Sequence, residues 1–311
     1  MEIQNIQDLL RELRDDNTSG ATEFIDKALE IIKFQLRLTH DPHRDIREDF
    51  FKLSKEIIDT RPSMAPLINT IGYLIHDLGE VNKSIIEERL SQFYIYKAEI
   101  NKSLELAFHT FLKENKKIPL KVMLISYSST IINLLLQNKD FNIEIYVLES
   151  RPLLEGRKVA EILSQYFKIH LIVDAAMGKL IDQIDLVLIG VDSILEDGSI
   201  INKIGTYPLA VLADSRKVDV YAVADALKYN LKSHFGREIM IERKPIEEIY
   251  DKEIKSTYLE IENYYFDITP PIYFTGIISN YGLLKIHEFL EKVRSDLPIE
   301  WFKYLLNNKR I

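Results

Sequence analysis

NKKIPLKVMLISYSSTIINLLL, residues 115–136, is the stretch in which the chain changes its periodicity. Before it, apolar residues recur every three or four positions. After Pro119 they come in short unbroken runs rich in β-branched residues: Val122–Ser126, Ile143–Leu148, Ile169–Val173, Leu186–Gly190 and Val218–Val223. Stretches of helical spacing separate the runs, at Thr130–Leu136, Leu154–Gln165, Ala175–Ile181 and Ile204–Arg216. Apolar strands alternating with helices predict an α/β fold with a mainly parallel sheet covered by helices on both faces. Ligands of such sheets bind beyond the carboxyl ends of the strands, near the point where strand order reverses. The residues just after each run are therefore where chemistry is sought.

Toward the N-terminus the pattern is helical. Phe24, Ala28, Ile31, Ile32 and Leu36 share one helix face, as do Leu67, Ile71, Leu74, Ile75 and Leu78. A long amphipathic stretch runs from Lys83 to Leu112, and breaks are expected at Asp41-Pro42, Arg61-Pro62 and Pro66. The expected division is a helical domain over residues 1–115 and a sheet domain over 116–311.

Composition narrows the class. With 46% apolar and 28% charged residues, the 311-residue chain can bury a core, which excludes disordered and collagen-like classes. No apolar run approaches the ~20 residues of a membrane span. MEIQNIQDLLRELRDD, at the start, has no hydrophobic signal core, so a cytoplasmic protein is expected. A net charge of -8 argues against a dedicated nucleic-acid binder. The absence of cysteine removes disulfides, thiolate metal sites and thiol nucleophiles. Abundant Ile, Lys and Glu without Cys suggest a thermophilic source.

Polar clusters stand at the strand ends. Ser126-Tyr127-Ser128-Ser129-Thr130 leads into a helix, where hydroxyls and free N–H groups suit an anion, although taken alone ordinary capping by Ser128 or Ser129 is the commoner reading. Glu149-Ser150-Arg151-Pro152 pairs a carboxylate with a guanidinium, fit for a sugar hydroxyl and a phosphate, or simply for a surface ion pair. Gly190-Val191-Asp192-Ser193 and Asn202-Lys203-Ile204-Gly205-Thr206 follow the fourth run, and Asp225 and Lys228 the fifth. Together they describe a pocket for a phosphorylated, polyhydroxylated small molecule. His40 and His43 lack a third ligand, so no metal is expected; no dinucleotide or phosphate-loop fingerprint and no nucleophile elbow occurs, so no cofactor is expected either.

Glu149-Ser150-Arg151-Pro152 with Glu155-Gly156, Gly190-Val191-Asp192-Ser193 and Asn202-Lys203-Ile204-Gly205-Thr206 resemble a known family. It contains the alpha, beta and delta subunits of translation initiation factor 2B and the isomerases of 5-methylthioribose-1-phosphate and ribose-1,5-bisphosphate. Arg61-Pro62-Ser63 with Asn69, and Asn263 with Phe266-Asp267-Ile268-Thr269-Pro270-Pro271, extend the match over roughly residues 19–282. The resemblance is to an archaeal initiation factor 2B-like member. It implies a helical domain joined to a Rossmann-like domain, a ligand cleft between them, and oligomerisation through the C-terminal half. It also implies that Gly20, Arg61, Arg151, Asn202, Lys203 and Lys228 hold the ligand, a phosphorylated sugar or a nucleotide monophosphate.

In the family's isomerases a cysteine after the first strand and an aspartate at the position of Asp192 move the protons. Here Ser126 stands at the cysteine position. A serine hydroxyl without a base is far less acidic than a thiol, and the chain neighbours of Ser126 are Ile125 and Tyr127. The expectation is therefore a non-catalytic, initiation factor 2B-like binding protein, with an initiation factor 2 subunit or its own copies as partners. The alternative is an aldose–ketose isomerase working through Asp192 and another group; a structural oligomer with a vestigial pocket is the third. The aromatic and proline-rich segment from Tyr264 to Phe274 marks the expected homodimer or higher oligomer.

Overall fold

The computed structural model describes residues 5–16, 20–62, 64–77, 79–253 and 256–303. Ser19, where the resemblance begins, Ser63 of the Arg61-Pro62-Ser63 motif and Leu78 of the expected helix face lie outside the described residues.

Five helices come first: α1 (Ile6–Asp15), α2 (Ala21–Leu38), α3 (Arg47–Thr60), α4 (Ala65–Ile75) and α5 (Lys83–Glu114). Asn5 and Asn82 cap α1 and α5, each side chain accepting from the N–H three residues on. Asp41-Pro42 and Arg61-Pro62 fall in connections, as expected. Pro66 does not break a helix; it sits in the first turn of α4, where a proline lacks only an N–H that would be unpaired anyway. α4 is apolar and buried nearly all round, which makes it the central helix. α5 buries Ile86, Leu90 and Phe93 among the helices and Phe108, Phe111 and Leu112 against the sheet, so one helix serves both halves.

The sheet portion runs β1 (Leu120–Ile125), α6 (Ser129–Gln137), β2 (Ile143–Leu148), α7 (Glu155–Leu163), β3 (Lys168–Ile172), the single turn α8 (Met177–Leu180) and β4 (Leu186–Gly190). It continues with β5 (Ser193–Ile194), β6 (Ile200–Lys203), α9 (Thr206–Ser215), β7 (Asp219–Val223), α10 (Leu231–His234), β8 (Phe266–Thr269), β9 (Gly276–Ser279), β10 (Gly282–Leu284) and α11 (Ile286–Asp296). The main sheet has the order β10-β9-β7-β4-β1-β2-β3, parallel except for the β9–β10 hairpin. All five expected strands are present. Strands β8 to β10 and the small antiparallel sheet β5-β6-β8 are additions. The expected helix at Ala175–Ile181 is a chain of single turns rather than one helix.

Alternation along the strands divides the core. Val122 and Leu124 face one cluster, Met123 and Ile125 the other. From β1 the chain steps outward to β2 and β3, then returns to β4 on the opposite side of β1. That reversal leaves the crevice between the carboxyl ends of β1 and β4, where Ile125 is in register with Ile189.

Candidate functional site

Ser126 is the first residue past β1, in the left-handed backbone region at φ 69°. Its N–H donates to Ser150 Oγ at 2.8 Å, and Ser150, also left-handed, donates from Oγ to the Leu148 carbonyl. The N–H groups of Ser150 and Arg151 both donate to the Asp174 carboxylate, at 2.8 and 2.7 Å. Such backbone is costly for non-glycine residues and persists where its surroundings over-determine it.

Glu155 opens α7, and Gly156 lets that helix lie directly on the end of β2. The consequence is a contact unavailable to sequence reasoning. Ser126 Oγ donates to Glu155 Oε1 at 3.1 Å, and Lys203 Nζ reaches the same oxygen at 2.8 Å. The Lys203 side chain is only 4% exposed. Glu155 Oε2 is buried and makes no hydrogen bond among the described residues. The expectation that Ser126 stands without an acid–base partner is corrected in one respect: a carboxylate from α7, 29 residues along the chain, accepts from its hydroxyl.

One strand over, Gly190 ends β4 so close to α6 that a Cβ built on it would lie 2.8 Å from Ser128 Cβ. Asn202, buried on β6, donates from its amide nitrogen to the Gly190 carbonyl at 2.9 Å, and its amide oxygen accepts from the Lys203 N–H at 3.3 Å. Asp192 is fixed through its N–H to the Ile201 carbonyl. Burial pushes its carboxyl up from the ordinary value, while the positive charges of Lys228, Arg61 and Lys203 pull the other way. Arg61 lies 4.3 Å over the Phe24 ring and donates to the Asp16 carbonyl, so the helical half presents it to the crevice. Burial lowers its pKa, against the fields of Asp16, Asp192 and Glu242.

Gly20, the N-cap of α2, packs against the Tyr127 ring, and Ser129 Oγ stands 3.5 Å from Thr22 Oγ1. The N-termini of α2 and α6 thus meet beside Ser126. A cavity of about 380 Å³ opens there, its walls including Thr22, Lys97, Ser129, Asn133, Asp225 and Lys228. Arg61, Asp192 and Lys203 do not line it; Lys228, in its wall, also acts electrostatically on Asp192.

Of the residues singled out from the sequence, Arg61, Asp192, Lys203 and Lys228 converge in one field, with Asn202 bracing the turn and Ser126 tied in through Glu155. Arg151 stands apart: it is exposed, with its guanidinium 3.5 Å from the Glu248 carbonyl. Glu149 pairs with Arg157 at 2.8 Å rather than with Arg151. Besides Glu155, sequence reasoning assigned no role to Asp267. That side chain, opposite Asn202 in the β6–β8 register, accepts from the N–H groups of Gly205 (2.8 Å) and Tyr207 (3.1 Å) and so anchors the start of α9. Burial pushes its carboxyl up to about 6 despite those donors. Both acids stood within quoted motifs, but nothing local distinguished them from ordinary helix-start and strand residues.

Residues 1–286 match the family model described as the initiation factor 2 subunit family. The chain is similar to ribose 1,5-bisphosphate isomerase of Methanocaldococcus jannaschii, 27% identical over 91% of this chain and 92% of that one. It is similar to ribose 1,5-bisphosphate isomerase of Haloterrigena turkmenica, 30% identical over 85% of each. The crystal structure of translation initiation factor eIF-2B from Pyrococcus horikoshii OT3 shares the fold, with a TM-score of 0.75 at 23% identity, over 90% of this chain and 96% of that one.

Proposed function

The chain belongs to the initiation factor 2 subunit family, and from that membership we propose that it is an aldose–ketose isomerase of furanose 1-phosphates. The observation that carries this is the pairing of two proton-handling centres on adjacent strand ends: Asp192, its carboxyl raised by burial amid three cations, and Ser126, hydrogen-bonded to Glu155. The names of the relatives, both ribose 1,5-bisphosphate isomerases, support the same substrate class. Phosphate is the part that Arg61, Lys228 and the N-termini of α2 and α6 are suited to hold. Arg61 comes from the helical half and Lys228 from the sheet half, so binding bridges the two.

In a furanose 1-phosphate the anomeric carbon carries both the ring oxygen and the phosphoryl oxygen. Isomerisation breaks the C1–O4 bond as the C2 proton leaves, giving an enol phosphate, and then places a proton on C1 while the C2 hydroxyl becomes a carbonyl. Asp192 supplies the proton to O4 and recovers one from O2. A carboxyl whose hold on a proton is strengthened by burial is suited to that duty.

A second reading, a binding protein without turnover, is favoured by one observation: residue 126 is a serine and not the family's cysteine. It keeps the sugar-phosphate or nucleotide-monophosphate pocket and acts through an initiation factor 2 subunit or through its own copies. Turnover of ribose 1,5-bisphosphate and 5-methylthioribose 1-phosphate by the purified chain separates the two. Ketose formation that is lost in Asp192→Asn supports the isomerase; binding without any ketose supports the second reading.

A further inference from the structure

We propose that Ser126 and Glu155 form a proton relay that does the work of a thiol, with Glu155 storing the hydroxyl proton that Ser126 gives up as it takes the one from C2. The proposal rests on the isomerase reading above.

Three features carry it. Ser126 Oγ already donates to Glu155 Oε1, at 3.1 Å, so the hydroxyl proton points at its acceptor. Lys203 Nζ, 2.8 Å from the same oxygen and almost wholly buried, fixes the carboxylate and shares its charge. The other oxygen, Glu155 Oε2, is buried and without a partner among the described residues, so the carboxylate retains acceptor capacity inside the site. The backbone fixes the pair from both sides. Ser126 is held in its left-handed conformation by Ser150, and Glu155 is held by Gly156 against the end of β2.

The steps balance. Ser126 Oγ takes the C2 proton while its own proton passes to Glu155 Oε1. The C2–H electron pair becomes the C1=C2 bond, the C1–O4 bond breaks, and O4 takes the proton of Asp192. In the second half the enol electron pair takes a proton at C1 from Ser126 Oγ, which is refilled from Glu155, while the O2 proton returns to Asp192. Each group ends as it began. A lone serine hydroxyl is too weak an acid–base for this exchange near neutrality; one with a carboxylate behind it has somewhere to send its proton.

The test compares the parent with Glu155→Gln, Ser126→Ala and the double variant on ribose 1,5-bisphosphate and 5-methylthioribose 1-phosphate. Glutamine keeps the shape and both hydrogen bonds but cannot take up a proton. The expected result is a fall in kcat of about 10²-fold or more for either single variant, with KM within a few-fold. The double variant should be no worse than the singles, because the two act as one unit. Glu155→Gln within about threefold of the parent's kcat overturns the relay but leaves the isomerase reading standing. A parent with no turnover on either sugar overturns that reading and the catalytic relay with it. The coupling itself is read separately in Ser126→Cys. The pH midpoint of thiol alkylation should fall by about one unit when Glu155→Gln is added, since the carboxylate opposes a thiolate. An unmoved midpoint means that Glu155 does not govern position 126.

Discussion

A Cβ built on Gly156 would lie 1.8 Å from the carbonyl oxygen of Leu148. No side chain fits there, so α7 can rest on the end of β2 only with glycine as its second residue. Gly156→Ala must lift the helix and with it Glu155. The expected cost is about 2–4 kcal/mol of unfolding free energy, together with weakened ligand binding. Urea unfolding of the two proteins side by side checks this; a difference below about 0.5 kcal/mol would mean that α7 accommodates the methyl by shifting freely.

Lys203 and Glu155 form an ion pair largely out of solvent. Removing only the cation leaves a carboxylate with little compensation, so Lys203→Met should destabilise by about 3 kcal/mol. Adding Glu155→Gln should recover part of that loss. Urea unfolding of both singles and the double completes the cycle, and strict additivity would argue against coupling in solution.

Asp267 yields a dependence on pH whose sign is fixed. Its carboxyl titrates near pH 6 in the folded chain and near the ordinary 3.8 when unfolded. The folded state holds the proton more tightly, so the associated stability is full below pH 3.8 and is lost as pH rises through 6. Against the uncharged Asp267→Asn, the parent should lose ground over that interval by at most about 3 kcal/mol. Unfolding measured at several pH values between 4 and 7.5 shows the trend; a constant gap would mean the carboxyl titrates as it does in water.

Arg61 and Arg151, both expected from the sequence to hold the ligand, should not behave alike. Arg61 is half-buried and acts on Asp192, whereas Arg151 is exposed at the rim. Arg61→Ala should weaken ribose 5-phosphate binding by about 10–100-fold, the loss expected of a charge-assisted contact, and Arg151→Ala by less than about threefold. Calorimetric titration distinguishes them, and equal losses would place Arg151 on the ligand after all.

Ile204, Tyr207, Val211 and Ile272 expose apolar surface on and around α9, and the Tyr207 and Tyr273 rings stand 5.7 Å apart. If the C-terminal half mediates self-association, Ile272→Asp should shift the mass measured by light scattering toward the 36.3 kDa monomer. A parent that is already monomeric at micromolar concentration refutes the oligomer.

How much of this was legible beforehand depends on how local the cause is. Strands β2 and β4 match the expected limits at both ends because short apolar runs rich in β-branched residues are too brief for a buried helix and read as strands covered on two faces. β8 is mostly half-buried and β10 is three residues long, so neither produces a pattern. Asp192 and Lys228 could be placed at the site because strand ends of a parallel sheet converge. Glu155 could not, since an acid in the first turn of a helix is ordinary. Its meaning depends on a glycine whose reason is the carbonyl of Leu148. Asp267 acts on Gly205, 62 residues earlier, and only the β6–β8 pairing brings them together.

That pairing also sets an order of assembly. During synthesis the strands from β1 to β7 are complete once residue 223 has emerged, and every pairing among them can form. The anchor on Gly205 and Tyr207, however, belongs to a strand that begins at residue 266. Until some forty further residues are made, strand β6, which bears Asn202 and Lys203, lacks its β8 partner, and the turn after it lacks its carboxylate. The nascent chain therefore has its scaffold well before it has its pocket. A premature stop between β7 and β8 would leave a sheet with an open edge and an unanchored turn before α9.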